Sequence, residues 1–292
     1  MTRTAQSDVG TIKRLLLKHA RDAFASASSI AKQWRGLDYL GQPDYQRAVA
    51  EHDAFIARLE SFDIELEFMP PVESTGLDSI YVRDASIVCD KGVILCNMGK
   101  EQRSEEPAAQ GAVFEELGVP VLGSIVAPGT VEGGDVAWLD TGCLAVGRGK
   151  RTNEAGIDQL KTLLADCVDE IVVVPLPDLE VPGDVFHLMS ILSPIDHDLA
   201  LVYAPLLPKS FSDELKTRGF QLVEVPDQEF DTMGCNVLAV APRRCMMLSG
   251  NPVTRARLEG AGAEVFEIEG NEISHKGAGG PTCLTRPLVR DV

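Results

Sequence analysis

The chemistry of this chain gathers near its C-terminal end, in His275-Lys276-Gly277-Ala278-Gly279-Gly280-Pro281-Thr282-Cys283-Leu284-Thr285-Arg286-Pro287, where one cysteine follows three glycines within four positions. Glycine lets backbone approach a ligand closely and reach positive φ, while Pro281 and Pro287 stiffen the flanks. Such a setting presents a thiol as a nucleophile; the plainer alternative is that Cys283 is one more small buried hydrophobe. Three other stretches hold polar groups that could serve a thiol: Asp78-Ser79-Ile80-Tyr81-Val82-Arg83-Asp84, Glu132-Gly133-Gly134-Asp135 and Phe186-His187-Leu188-Met189-Ser190. They supply carboxylates and one imidazole, side chains that can move protons near neutral pH.

These stretches fall at the joints of a recurring unit. From about Ala85, two short apolar runs joined by a turn (Ser86-Ile87-Val88-Cys89, Asp90-Lys91-Gly92, Val93-Ile94-Leu95-Cys96) lead to a helix-like segment ending near Leu117-Gly118 and a third apolar run from Val119 to Leu122. The same order, strand, strand, helix, strand, returns from Asp135, from Met189 with a turn over Pro194 to Asp198, and from Asn236. The period is roughly fifty residues, near the range of arrays and propellers. One such unit cannot bury its own apolar face, so neighbours must pack around a shared centre. The segment before Asp78 has room for a more divergent first unit: a strand at Ile12 to Leu17, a helix over Tyr45 to Leu59 and a strand at Ile64 to Phe68. In a ring of five units the joints converge on the axis, which predicts one acidic pocket containing a thiol. No Pro/Gly/Ser linker interrupts the chain, so residues 1–292 read as a single α/β domain. Two doubly wound domains are the competing architecture, and the hairpin-like strand pairs argue against it.

Composition narrows the partners. An apolar share of 45% and a charged share of 24% describe an ordinary globule, and a formal charge of −17 makes nucleic acid and anionic membrane poor partners while leaving cationic small molecules open. No stretch approaches a membrane span and the N-terminus leads into no signal-like apolar core, so the expected location is cytoplasmic. The seven cysteines are scattered and odd in number, which predicts reduced thiols, with Cys89, Cys96, Cys143 and Cys245 in core strands. Without a Cys-x-x-Cys pair or a His-x-x-x-His spacing, no metal site is expected.

The motifs, taken together and in order from about residue 78 to 287, resemble those of the guanidine-modifying superfamily, which includes arginine deiminases, amidinotransferases and dimethylarginine dimethylaminohydrolases, and most resemble the last. The carriers are Asp78 to Asp84, Val131-Glu132-Gly133-Gly134-Asp135-Val136, Gly147-Arg148-Gly149-Lys150-Arg151-Thr152-Asn153, Phe186 to Ser190 and Thr282-Cys283. The resemblance implies a five-bladed α/β propeller of ββαβ modules, the pentein fold. It also implies hydrolysis of an Nω-methylated arginine to citrulline and methylamine or dimethylamine, with no cofactor. A small-molecule guanidine is the implied partner, and a homodimer is left open. A guanidinium carbon is a poor electrophile, and a thiolate is the side chain best able to attack it. Cys283 is therefore the implied nucleophile, His187 the acid and then the base, and Glu132 the carboxylate that orients His187. Asp84 is implied to bind the guanidinium, Asp78 to lie near the substrate's polar end, and Arg103 and Arg151 to hold its α-carboxylate.

Three departures bear on the substrate. Arg83 stands where the dimethylarginine enzymes carry an acid; it is expected to turn away from the guanidinium and pair with an acidic neighbour. Met189 replaces a lysine, and the carboxylate that arginine deiminases place two residues after the histidine is absent. That last absence leaves one acid fewer to grip an unsubstituted guanidinium, which favours methylated arginine over arginine. An arginine deiminase-like hydrolase, an amidinotransferase using the same thiouronium, and a guanidine binder without catalysis are the alternatives.

Overall fold

The computed structural model describes residues 2–179 and 186–292. The expected units are present as small sheets. The second, third, fourth and fifth each contain an antiparallel strand pair followed by a helix and a third strand parallel to the middle one. The second runs Ser86–Cys89, Gly92–Leu95, helix Glu106–Glu116, Val121–Ser124. The third runs Val136–Trp138, Cys143–Arg148, helix Glu154–Leu164, Glu170–Pro175. The fourth runs Leu192–Asp196, Leu199–Val202, helix Lys209–Thr217, Gln221–Glu224, and the fifth Leu238–Ala241, Arg244–Leu248, helix Pro252–Gly260, Glu264–Ile268. Proline at the first helical turn of Glu106–Glu116 and Pro252–Gly260, and the Asn153 side chain accepting from Gly156 N, start three of these helices. Gly118, Gly219 and Gly262 end three of them at φ of 66°, 92° and 88°, a left-handed turn that sends the chain back toward the parallel strand. The turn expected over Pro194 to Asp198 is tighter: strand Leu192–Asp196 runs through Pro194 with a bulge, and the turn is His197-Asp198.

The first sheet differs in a way the local sequence does not show. Thr11–Leu17 pairs in parallel with Glu65–Phe68, and its antiparallel partner is Arg286–Asp291 from the far end of the chain. Pro287, which has no N–H to give, sits beside a register shift in that pairing. Short helices Ala20–Phe24 and Ala27–Gln33 add to the expected elements of this unit; the Ser26 side chain caps the second by accepting from Ser29 N.

The sheets share their apolar cores in sequence. Leu16 and Leu288 of the first cluster with Val88 and Val93 of the second, and Ile87 and Ile94 of the second cluster with Val136 and Leu144 of the third. Ala145 of the third, Leu199 and Leu201 of the fourth and Met247 of the fifth lie in one cluster, and Met246 and Leu248 of the fifth meet Ile12 and Leu15 of the first. The succession returns to its start. Strands Ser86–Cys89 and Leu199–Val202 are buried throughout, whereas the third strands, such as Val121–Ser124 and Glu65–Phe68, are exposed at both ends. The joints leading into the first strands are therefore held inside, where their polar groups need partners. Among the described residues no helix is long and apolar enough to cross a membrane, and all seven cysteines are free.

Candidate active site

The joints are tied to one another by hydrogen bonds, which is how residues far apart in sequence meet. Arg83 N donates to the Cys283 carbonyl at 3.2 Å, Gly133 N to the Asp84 carbonyl at 2.8 Å, and Leu188 N to Asp135 Oδ1 at 2.9 Å. The Ser193 hydroxyl donates to the Cys235 carbonyl at 2.7 Å, and Asn236 completes the circuit by donating from Nδ2 to Cys283 Sγ at 3.2 Å while accepting from Thr282 N. Gly134 has to be glycine, because a Cβ there would lie 2.5 Å from His187 Nδ1 and 2.7 Å from Asp84 Oδ1. The glycines before Cys283 serve the same purpose. A Cβ at Gly279 would lie 2.4 Å from the Tyr81 ring and one at Gly280 2.6 Å from Asn236 Oδ1. None of Gly277, Gly279 and Gly280 carries the positive φ that glycine permits; Ala278 does, at 59°.

Cys283 and His187 line one cavity of about 220 Å3. His187 is buried and its Nε2 lies 2.7 Å from Glu132 Oε2, so Nδ1 is the nitrogen on the side of Asp84, 4.0 Å from Oδ1. Burial alone would lower the imidazole pKa, but Asp84, Asp135 and Glu132 more than offset it and lift it to about 9. Burial likewise opposes the charge of Glu132, yet the hydrogen bond and charge of His187, with Arg151 and Arg103, hold its carboxyl well below the usual range. Arg151 Nη1 stands 3.1 Å from both Glu132 oxygens, and Lys100 N donates to one of them. The Cys283 thiol is pushed up to about 11, chiefly by burial and then by the negative charge of Asp84.

Asp84 is buried, with Oδ2 held 2.6 Å from Arg103 Nη1 and Oδ1 without a hydrogen-bond partner. A buried, unpartnered acceptor of this kind suits a cationic N–H donor. Arg103 is turned inward: Nε and Nη2 form a fork on Glu106 at 2.9 and 2.7 Å, and Nη2 also donates to the carbonyl of Tyr81. Asp78 is paired with Lys100 Nζ at 2.7 Å. Arg83 turns away from this centre and holds Asp8 Oδ1 at 2.7 Å, both side chains buried. Asp84, Glu132 and His187 offer ligand atoms within 4.8 Å of one another, so a cation could be held there, in competition with Arg103 and Arg151.

All seven site residues expected from the sequence thus come together. Several further contributors emerge only here. Asn236 opens the fifth unit at the place equivalent to the other joints, so the repeat itself marks it. Asp135, which reads in sequence as a turn residue, fixes the His187 turn through Leu188 N. Lys100, Glu106 and Asp8 carry no local signal, since their roles arise only from their partners.

A profile of the family described as N,N dimethylarginine dimethylhydrolase, eukaryotic, matches residues 23–290. The N(G),N(G)-dimethylarginine dimethylaminohydrolase of Pseudomonas aeruginosa is 28% identical over 248 residues, covering 85% of this chain and 91% of that protein. An arginine deiminase of Rhodococcus erythropolis is 29% identical over 248 residues, covering 73% of this chain and 60% of its own. Among solved structures, the dimethylarginine dimethylaminohydrolase of Pseudomonas aeruginosa, as a cysteine-to-serine variant complexed with citrulline, superposes with a TM-score of 0.75 at 26% identity, over 94% of this chain and 98% of that one. The α/β fold is that of these pentein structures.

Proposed function

The chain belongs to the dimethylarginine dimethylaminohydrolase family, whose profile spans residues 23–290, and on that footing we propose that it hydrolyses a substituted guanidine at its central carbon through a covalent intermediate on Cys283. Guanidine-modifying hydrolysis is the chemistry common to its relatives. The observation that carries the assignment is one cavity lined by a thiol and an imidazole, with a carboxylate 2.7 Å behind the imidazole and an unpartnered Asp84 oxygen beside it. The ring of sheets reads as a five-bladed propeller, and the whole of residues 1–292 as one domain.

The chemistry follows from the charges. At neutral pH His187, at about 9, is protonated, and Cys283, at about 11, is a neutral thiol. A guanidinium seated on Asp84 Oδ1 places positive charge beside the sulfur and favours loss of its proton to solvent. The thiolate adds to the guanidinium carbon. His187 Nδ1–H then gives its proton to the leaving nitrogen, the C–N bond breaks, and a thiouronium remains on Cys283. The neutral imidazole next takes a proton from water as its oxygen adds to the same carbon. Cleavage of the C–S bond, with the new hydroxyl's proton passing to solvent, releases a neutral urea and regenerates the thiolate. Glu132 keeps its negative charge throughout and orients the ring from Nε2. Asp84 is the guanidinium ligand and Arg103 its support. Asp78 and Arg151 belong to the far end of the site.

An Nω-methylated arginine, giving citrulline and methylamine or dimethylamine, is the substrate that the relatives' names suggest, with arginine second. The test is a urea-product assay across both, paired with intact mass after rapid acid quench. A substrate-dependent mass increase on wild type, absent from Cys283→Ala, is expected. Turnover without any adduct, undiminished in Cys283→Ala, refutes the covalent route.

A further inference from the structure

The spaces on the two sides of Cys283 differ in size and chemistry. On the side of Asp78, Lys100, Arg103 and Arg151 only about 10 Å3 is open, the room of about one water molecule. Lys100 fills that end. Its Nζ lies 2.7 Å from Asp78 Oδ2 and 2.8 Å from the Leu37 carbonyl, and both side chains of the pair are under a tenth exposed. An ammonium thus already sits on Asp78, the residue that the resemblance places near the substrate's polar end. Every nitrogen of Arg103 is also donating, to Glu106, Asp84 and backbone carbonyls, so its planar fork is spent inside the protein. Tyr81 and Tyr39 close the wall, packed against Gly277 so tightly that a Cβ there would lie 2.0 Å from the Tyr81 oxygen.

The opposite side is open and apolar. The cavity of about 220 Å3 is walled by Leu179, Phe186, Met189, Phe230 and Met233, with Asp38 and Asp231 also lining it. Among the described residues its cationic side chains are His187 and Arg83, and Arg83 is held by Asp8. Asp38, Met233 and Ala278 all carry positive φ, at 62°, 58° and 59°. Non-glycine residues in that region cluster where a ligand site over-determines the backbone.

We infer that the substrate's tail occupies this apolar cavity and that the preferred substrates are guanidines with an alkyl or aminoalkyl tail and no α-carboxylate. The inference rests on the guanidine-hydrolase reading above and narrows its substrate. An alkyl chain buries itself against Phe186, Met189 and Phe230, and a terminal ammonium meets Asp38 and Asp231. A tail carboxylate meets the negative charge of those same two exposed acids, a like-charge repulsion with no compensating cation beside it among the described residues. The reaction is otherwise unchanged: water supplies the new C–O bond, one C–N bond breaks, His187 protonates the departing nitrogen, and the products are an alkylurea and ammonia.

The experiment compares kcat/KM of the full chain for butylguanidine, 4-aminobutylguanidine, asymmetric dimethylarginine and arginine. The first two should exceed the others by about tenfold or more, the scale on which an apolar pocket discriminates. Lys100→Ala, which uncovers Asp78, should narrow that ratio by about the same factor by improving the arginines. Equal or faster hydrolysis of the arginines by wild type overturns the inference while the hydrolase reading stands. An unchanged ratio in a folded Lys100→Ala overturns the role given to Lys100. No turnover of any of the four and no adduct on Cys283 refutes the hydrolase reading itself, and the inference falls with it.

Discussion

Replacing Asp84 with asparagine should make Cys283 more reactive toward simple alkylating agents while making the protein a worse catalyst. The carboxylate raises both pKa values at the centre: it is the leading charge favouring the His187 imidazolium and, after burial, the leading cause of the raised thiol. With Oδ1 4.0 Å from His187 Nδ1, the direct interaction is about 4 kcal/mol at an effective dielectric constant near 20, equivalent to a change of about 3 in pKa. Arg103, 2.6 Å from the other oxygen, cancels part of that field, so the pKa of His187 is expected to fall by about one to two. Both groups move the same way, because losing a negative charge disfavours the cation and favours the thiolate. The proposed reaction needs a protonated imidazole and an ionised thiol, the reverse of their resting order in wild type. kcat/KM should therefore climb from pH 7 toward 9, peak near 10 and fall beyond about 11. In Asp84→Asn the bell should move to lower pH and lose height, since the proposed guanidinium ligand is gone. Iodoacetamide kinetics of Cys283 and an NMR titration of His187 follow the two groups directly. Alkylation at pH 8 should be faster, by about three- to fourfold for every whole number by which the thiol pKa drops, since the thiolate fraction rises about tenfold while its nucleophilicity falls. If alkylation is unchanged or slower, or if His187 titrates as in wild type, the electrostatic account of this site is wrong.

Cys283→Ser should fold as wild type and lose turnover by about three orders of magnitude or more; retention of over a tenth of the activity would remove the nucleophile assignment. Glu132→Gln and His187→Asn should be strongly non-additive in a double-mutant cycle, since Glu132 acts through the ring it orients, and additive losses would separate them. Arg83→Glu faces Asp8 with a second buried carboxylate, and should destabilise by about 3 kcal/mol or more, seen as a lower midpoint in urea; a variant as stable as wild type would contradict the pairing. His187 is protonated more readily in the fold than in the open chain, so its contribution to stability is complete below pH 6.5 and disappears as pH rises through about 9. The fall in melting temperature over that window should be smaller in His187→Asn.

The repeating units were legible in the sequence because each is local. Alternating apolar runs, a short turn and a capped helix with a glycine end are all read within some fifty residues. Candidate nucleophile, base and carboxylates were legible too, as residue types placed at equivalent joints. The antiparallel partner of Thr11–Leu17 was not, because it comes from Arg286–Asp291, and a pairing across the whole chain leaves no local signal. Charge partnerships were equally invisible. Arg83 could be expected to find an acid, but that the acid is Asp8, 75 positions away, is a fact of where two joints converge. The same convergence assigned Lys100 to Asp78 and turned Arg103 inward on Glu106 and Asp84, away from the role its motif implies. Secondary structure is set by backbone periodicity over a few residues. Whether a buried cation is free for a ligand depends on which charges lie within a few ångströms of it, and only the folded chain sets those distances.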